Sequence, residues 1–159
     1  MELGEAARAA RHDQVRAAQG DVVAILAAFA KQRERWGRVD EGTLARVEDL
    51  LEQVLADADD TRVCHHAREG EFDRAPRPLV LDVPRRIVAC WEGCYWRRVS
   101  TAGAGGIVDP TCFDCGRPLA VAGHDLFIAY GPILVVAALC PECRRGPSPA
   151  SGTRRRPDG

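Results

Sequence analysis

The chain has 159 residues, with 22 basic and 23 acidic side chains and a formal net charge of −1. So even a balance excludes a protein that grips nucleic acid through global positive charge, and no run of eighteen apolar residues marks a membrane-spanning helix. The size suits one domain, or a small domain with a helical extension, and the opening Met1-Glu-Leu-Gly-Glu lacks the basic-then-apolar layout of a secretory leader, so a cytoplasmic setting is expected.

Residues 1–60 read as a helical region. Residues 2–19 are rich in Ala and Arg, with a thin apolar face of Leu3, Ala7, Ala10 and Ala17. Gly20-Asp21 predicts a break and a new N-cap. A second helix follows over 22–36, with Val22, Ile25, Leu26, Phe29 and Trp36 on one face and Gly37 just past its end. The spacing of Leu44, Val47, Leu51, Val54 and Leu55 predicts a third helix over 43–58. A short connection between the second and third helices predicts a helical hairpin. Its apolar faces must be covered by the rest of the chain or by a second copy, which makes residues 21–58 a candidate homo-oligomer contact.

Residues 61–78 read as a linker, bounded by Asp59-Asp60-Thr61 and by Pro76 and Pro78, with Cys64-His65-His66 inside it. From Leu79 the pattern turns to short β-like runs: 79–83, 86–91, 95–99, 119–122, 126–130 and 133–139. Gly and Pro punctuate them, as in a small antiparallel sheet over residues 79–145. The expected class is α+β. The tail, 146–159, is Pro, Ser, Gly and Arg and is expected to be disordered.

Seven cysteines in a cytosolic chain favour metal thiolates over disulfides, and an odd number cannot pair completely. Four stand in matched pairs, Cys112-Phe-Asp-Cys115-Gly and Cys140-Pro-Glu-Cys143-Arg. Two C-x-x-C units separated by a couple of dozen residues supply the four thiolates that tetrahedral zinc takes, at about 2.3 Å each. Gly116 lets the backbone turn so that N–H groups face the sulfurs, and Pro141 pre-sets the second turn.

These residues resemble the zinc-ribbon family, in which two knuckles on β-hairpins share one zinc ion. The resemblance covers about residues 110–145 and implies a four-cysteine zinc site of Cys112, Cys115, Cys140 and Cys143 on a small antiparallel β-domain. The same stretch is similar, more weakly, to the zinc bracket of HNH nucleases, whose second ligand pair opens a helix. That similarity implies a catalytic Asp-His or His-His pair between the cysteine pairs. Here His124 precedes Asp125, the reverse order, and the chain has no asparagine to complete such a site. With four thiolates closing the coordination shell, the expected role of the zinc is structural.

Cys90-Trp-Glu-Gly-Cys94 is a looser ligand spacing. With Cys64, His65 or His66 it offers a second site of three cysteines and one histidine; the alternative is that Cys90 and Cys94 are small buried residues of a strand pair. Trp91, Trp96, Arg97 and Arg98 form an aromatic and basic cluster, suited either to a core or to stacking on single-stranded nucleic acid. Arg144 and Arg145 beside the second cysteine pair add candidate phosphate contacts. The sequence therefore points to a zinc-binding adaptor or regulator, with one zinc and residues for a second, that contacts nucleic acid or a nucleic-acid-associated protein. A degenerate HNH-type nuclease and a structural oligomerisation protein are the alternatives.

Overall fold

The computed structural model describes residues 2–30, 41–56, 62–68, 70–101, 106–108, 110–120 and 126–145. Trp36, Gly37, the His124-Asp125 pair and the tail from Gly146 lie outside them. The class is α+β: among the described residues there are five α-helices and a four-stranded sheet.

Helix α1 (Glu2–Ala30) runs without interruption through Gly20, where the sequence predicts a break. A mid-helix glycine costs about 1 kcal/mol relative to alanine. Ala18 and Val22, one helical turn apart and both buried, bracket it on the face that packs against the sheet. Their burial outweighs the local preference, so the two expected helices are one. Helix α2 (Glu41–Ala56) follows the predicted face, with Val47 and Val54 buried and Leu50 and Leu51 packed beside them. Val22, Val47 and Val54 thus take their cover from within the chain.

Strands β1 (Leu79–Asp82) and β2 (Ile87–Cys90) form an antiparallel hairpin, as do β3 (Leu126–Tyr130) and β4 (Ile133–Ala137). The β3–β4 turn has two residues, and Gly131 at φ 55° supplies the left-handed first position that such turns require. The hairpins join through β1 and β4, paired in parallel from Leu79 with Ile133 to Asp82 with Val136. The strand order is β2-β1-β4-β3, so the sheet is mixed rather than wholly antiparallel. Both central strands are buried along their whole length, as is β2, whereas β3 at the other edge is only partly covered.

Residues 95–99, read as a strand, are helical instead. A kinked turn (Trp91–Tyr95) runs into α4 (Trp96–Ser100). Cys90 is still extended and Gly93 leaves helical geometry (φ 176°, ψ −52°), so this kink, rather than a regular helix or a strand pair, carries the chain from Cys90 to Cys94. Between α2 and β1 the chain forms a 3-10 turn (His65–Ala67) and α3 (Glu71–Arg74), and Val63 bridges Val88 on the outer edge of β2. Helix α5 (Pro141–Arg145) follows β4. Leu119 lies outside any strand, its N–H donating to the Pro110 carbonyl, and residues 121 and 122 are not among those described.

Candidate metal centres

Among the described residues, two groups of four side chains bring their donor atoms within 4.8 Å of one another: Cys64, His66, Cys90 and Cys94, and Cys112, Cys115, Cys140 and Cys143. We call them sites 1 and 2.

Site 1 is built on the edge of the sheet. The Val63–Val88 bridge and the bond from Cys64 N–H to the Val88 carbonyl (2.9 Å) seat Cys64 against β2, fully buried. The 3-10 turn then brings the His66 ring back over it, closed by Ala67 N–H on the Cys64 carbonyl (2.9 Å). Cys90 ends β2 and donates its N–H to the Cys64 sulfur (3.3 Å). One turn on, Cys94 completes the set. The Nδ1 atom of His66 lies 3.7 Å from the Cys90 sulfur and 3.5 Å from that of Cys94. His65 is turned out to solvent, its Nε2 3.5 Å from the Glu71 carboxylate. Burial, and after it the charge of Arg77, lowers the His66 pKa from its ordinary 6.5, which favours the neutral imidazole that a metal takes. Burial raises the Cys90 thiol.

Site 2 is built on a loop and a helix start. Thr111 pairs with Pro118 to close the loop, Cys112 N–H meets the Arg117 carbonyl (2.8 Å), and Gly116, at φ 70°, donates to the Cys112 carbonyl (2.8 Å). Phe113 N–H ties the loop to the Ala138 carbonyl just past β4 (2.9 Å). Cys140 N–H donates to the Cys112 sulfur (3.2 Å), and Cys143 N–H to the Cys140 sulfur (3.4 Å). Burial alone would raise the Cys112 thiol, but N–H groups of Cys115, Cys140 and Asp114 aimed at its sulfur outweigh that and bring it down to about 7. Pro141 opens α5, a position where its missing N–H costs nothing. The second pair therefore stands at the start of a helix, where the zinc-ribbon resemblance implied a hairpin knuckle.

The donor spacing fits tetrahedral zinc. Bonds of about 2.3 Å to sulfur and about 2.0–2.1 Å to nitrogen set the tetrahedron's edges at about 3.8 Å for S···S and about 3.5 Å for S···N. The Cys115 and Cys140 sulfurs are 3.7 Å apart, far beyond a disulfide bond, and two of the three S···N edges of site 1, those to Cys94 and Cys90, measure 3.5 and 3.7 Å. Either group could hold a zinc ion.

The two sites share a plan. Each has a loop with two ligands, then a hairpin, then a ligand at or just beyond the second strand, then a fourth within the next helical turn. In each, the third ligand's N–H donates to the first ligand's sulfur, across 26 residues in site 1 and 28 in site 2. That near-equal separation was the available signal.

The aromatic and basic cluster divides between core and surface. Tyr95 is buried, its hydroxyl donating to Asp82 (2.9 Å), while Trp91 is half-buried and stacked on it. Trp96 packs edge-on against Trp91 and stays 49 % exposed, with Arg97 exposed beside it. Arg98 donates to the Cys94 carbonyl (3.4 Å), tying α4 to site 1. Arg144 and Arg145 are exposed on α5.

Comparison with protein-family models, with curated proteins and with solved structures finds no match. Among the described residues no helix is long and apolar enough to cross a membrane.

Proposed function

We propose that this chain is a zinc-binding adaptor or regulator that holds two structural zinc ions and contacts nucleic acid, or a protein that handles it, through the surface beside site 1. The carrying observation is the match between the donor separations, 3.5–3.7 Å, and the edges of a zinc tetrahedron. Cys64, Cys90, Cys94 and the Nδ1 of His66 would hold one ion; Cys112, Cys115, Cys140 and Cys143 would hold the other. Four protein ligands leave no open coordination position, so each ion supplies cross-links rather than a reactive water. The contact surface is Trp96 with Arg97: an exposed indole on which a base stacks, and a guanidinium beside it for phosphate.

Native mass spectrometry should show two zinc ions per chain, both removed by a strong chelator. Cobalt substitution should give thiolate charge-transfer bands for two sites, and His66→Ala should remove the contribution of one. A single ion that survives His66→Ala would restrict zinc to site 2. Labelled single-stranded DNA or RNA should bind more weakly as salt rises, and Trp96→Ala should weaken binding roughly tenfold, the scale of one lost base stack. No binding at low salt would refute the nucleic-acid contact.

The nuclease reading draws support from α5, because that bracket also starts a helix with its second ligand pair. Its candidate pair, His124 and Asp125, lies outside the described residues. Cleavage of DNA with added magnesium or manganese, lost in His124→Ala, would establish it.

A further inference from the structure

Two sites built on one plan differ in how their sulfurs meet solvent. In site 1, Cys64 and Cys90 are buried and Cys94 is half-buried. In site 2, Cys112 and Cys140 are buried and Cys143 is half-buried, but Cys115 is exposed, the one exposed cysteine among the described residues. Its sulfur is 3.7 Å from that of buried Cys140. An exposed cysteine with a second sulfur in contact is the arrangement in which a two-electron oxidant reaches the first and the second resolves it.

We infer that Cys115 is a modification site for hydroperoxides, and that its oxidation, resolved by Cys140, releases the zinc of site 2 and loosens α2. The inference rests on the two-zinc reading. The Cys115 sulfur attacks a peroxide oxygen; the O–O bond breaks, hydroxide leaves and takes up a proton, and Cys115 becomes a sulfenic acid. The Cys140 sulfur then attacks the Cys115 sulfur, an S–S bond forms, and the second hydroxide leaves as water. Two thiolates, one hydrogen peroxide and two protons become one disulfide and two waters, the two electrons passing from sulfur to oxygen. Zinc loses two of its four ligands and dissociates.

The loop that Cys115 sits in also contacts α2 at the surface. Arg46 donates to the Asp114 carbonyl (3.1 Å), stands 3.6 Å from the Asp114 carboxylate, and lays its guanidinium over the Phe113 ring at 5.1 Å. Phe113 and Asp114 lie between the two ligands of the loop. Rearrangement of that loop removes these contacts and leaves α2 held by Val47 and Val54 in the core.

The test uses the zinc-loaded full chain. Hydrogen peroxide is added at low excess, zinc release is followed with a chromogenic chelator, and thiols are mapped by alkylation and mass spectrometry. The expected result is one zinc released ahead of the other, a Cys115–Cys140 disulfide, and Cys64, Cys90 and Cys94 still reduced. Dimedone should trap Cys115, and amide exchange should rise across Glu41–Ala56. In Cys115→Ser the fast release should slow by at least about tenfold. Where that variant fails to hold zinc, the peptide map of the unaltered chain decides. Both ions leaving together, a first disulfide within site 1, or unchanged exchange in α2 would overturn the inference while the two-zinc reading stands. A chain with no zinc before peroxide is added would overturn both.

Discussion

Site 1 and site 2 use one plan at two depths in the molecule. Site 1 is fastened to the edge of the sheet through its three cysteines: Cys64 hydrogen-bonds β2, Cys90 ends it, and the turn that carries Cys94 is held through Tyr95 to Asp82 in β1. Site 2 touches the sheet through Phe113 N–H and the residues after β4, and otherwise faces a loop and a short helix. Ligand identity does not set how much of the fold a site supports. What sets it is how many of the site's neighbours are core.

The largest effect should separate the two at once. Structural zinc contributes on the order of 10–16 kcal/mol in small domains, against a total stability of about 5–15 kcal/mol. Cys64→Ser should therefore abolish the cooperative thermal transition, whereas Cys115→Ser should keep one at a lower temperature, both followed by circular dichroism. Equal losses would erase the distinction.

Next comes Asp82, fully buried and bonded to Arg85 through backbone and guanidinium (both 3.1 Å) and to the Tyr95 hydroxyl. Asp82→Ala removes the buried carboxylate that Arg85 and Tyr95 share and should cost about 3–5 kcal/mol in urea unfolding. It should also weaken zinc at site 1 and leave site 2 unchanged. The same network gives site 1 an alkaline limit. Burial first, then the Asp82 charge, pushes Tyr95 well above its ordinary 10. Neutral Tyr95 is favoured in the fold, so stability is full below pH 10 and falls as pH rises beyond it, where the unfolded chain ionises first. Unfolding measured from about pH 9 to about pH 11.5 should show this fall, and Tyr95→Phe should flatten it.

On the other side, Arg46→Ala should cost about 1 kcal/mol, the scale of a cation–π contact with one hydrogen bond, and should raise amide exchange in α2 with both metals retained. The smallest effect serves as a control remote from both sites. A Cβ at Gly20 meets nothing within 4 Å, so Gly20→Ala should stabilise α1 by about 1 kcal/mol and leave the order of zinc release as it was. Destabilisation there would restore the expected helix break.

Much of this arrangement was legible in residue order. The matched C-x-x-C pairs and Cys64, Cys90 and Cys94 could be picked out because ligand spacing is local. The choice of His66 over its neighbour His65 was not legible, since a 3-10 turn decides which ring faces inward. The strand expected over 95–99 failed because dense aromatics suit a strand and a helix alike. The continuity of α1 depends on burial of Ala18 and Val22, which Gly20 does not advertise. The parallel pairing of β1 with β4 joins segments about fifty residues apart, and nothing in either strand names its partner.

That central pairing has a consequence for the chain as it is made. All four ligands of site 1 and both strands of the first hairpin lie within residues 64–94, so this half can close while β4 is still unsynthesised. Until Ile133–Ala137 arrives, β1 presents an open, apolar edge of unpaired peptide groups, a template for any other strand nearby. Chains that stop short of β4 should therefore assemble with one another through that edge, which arrival of the second hairpin covers.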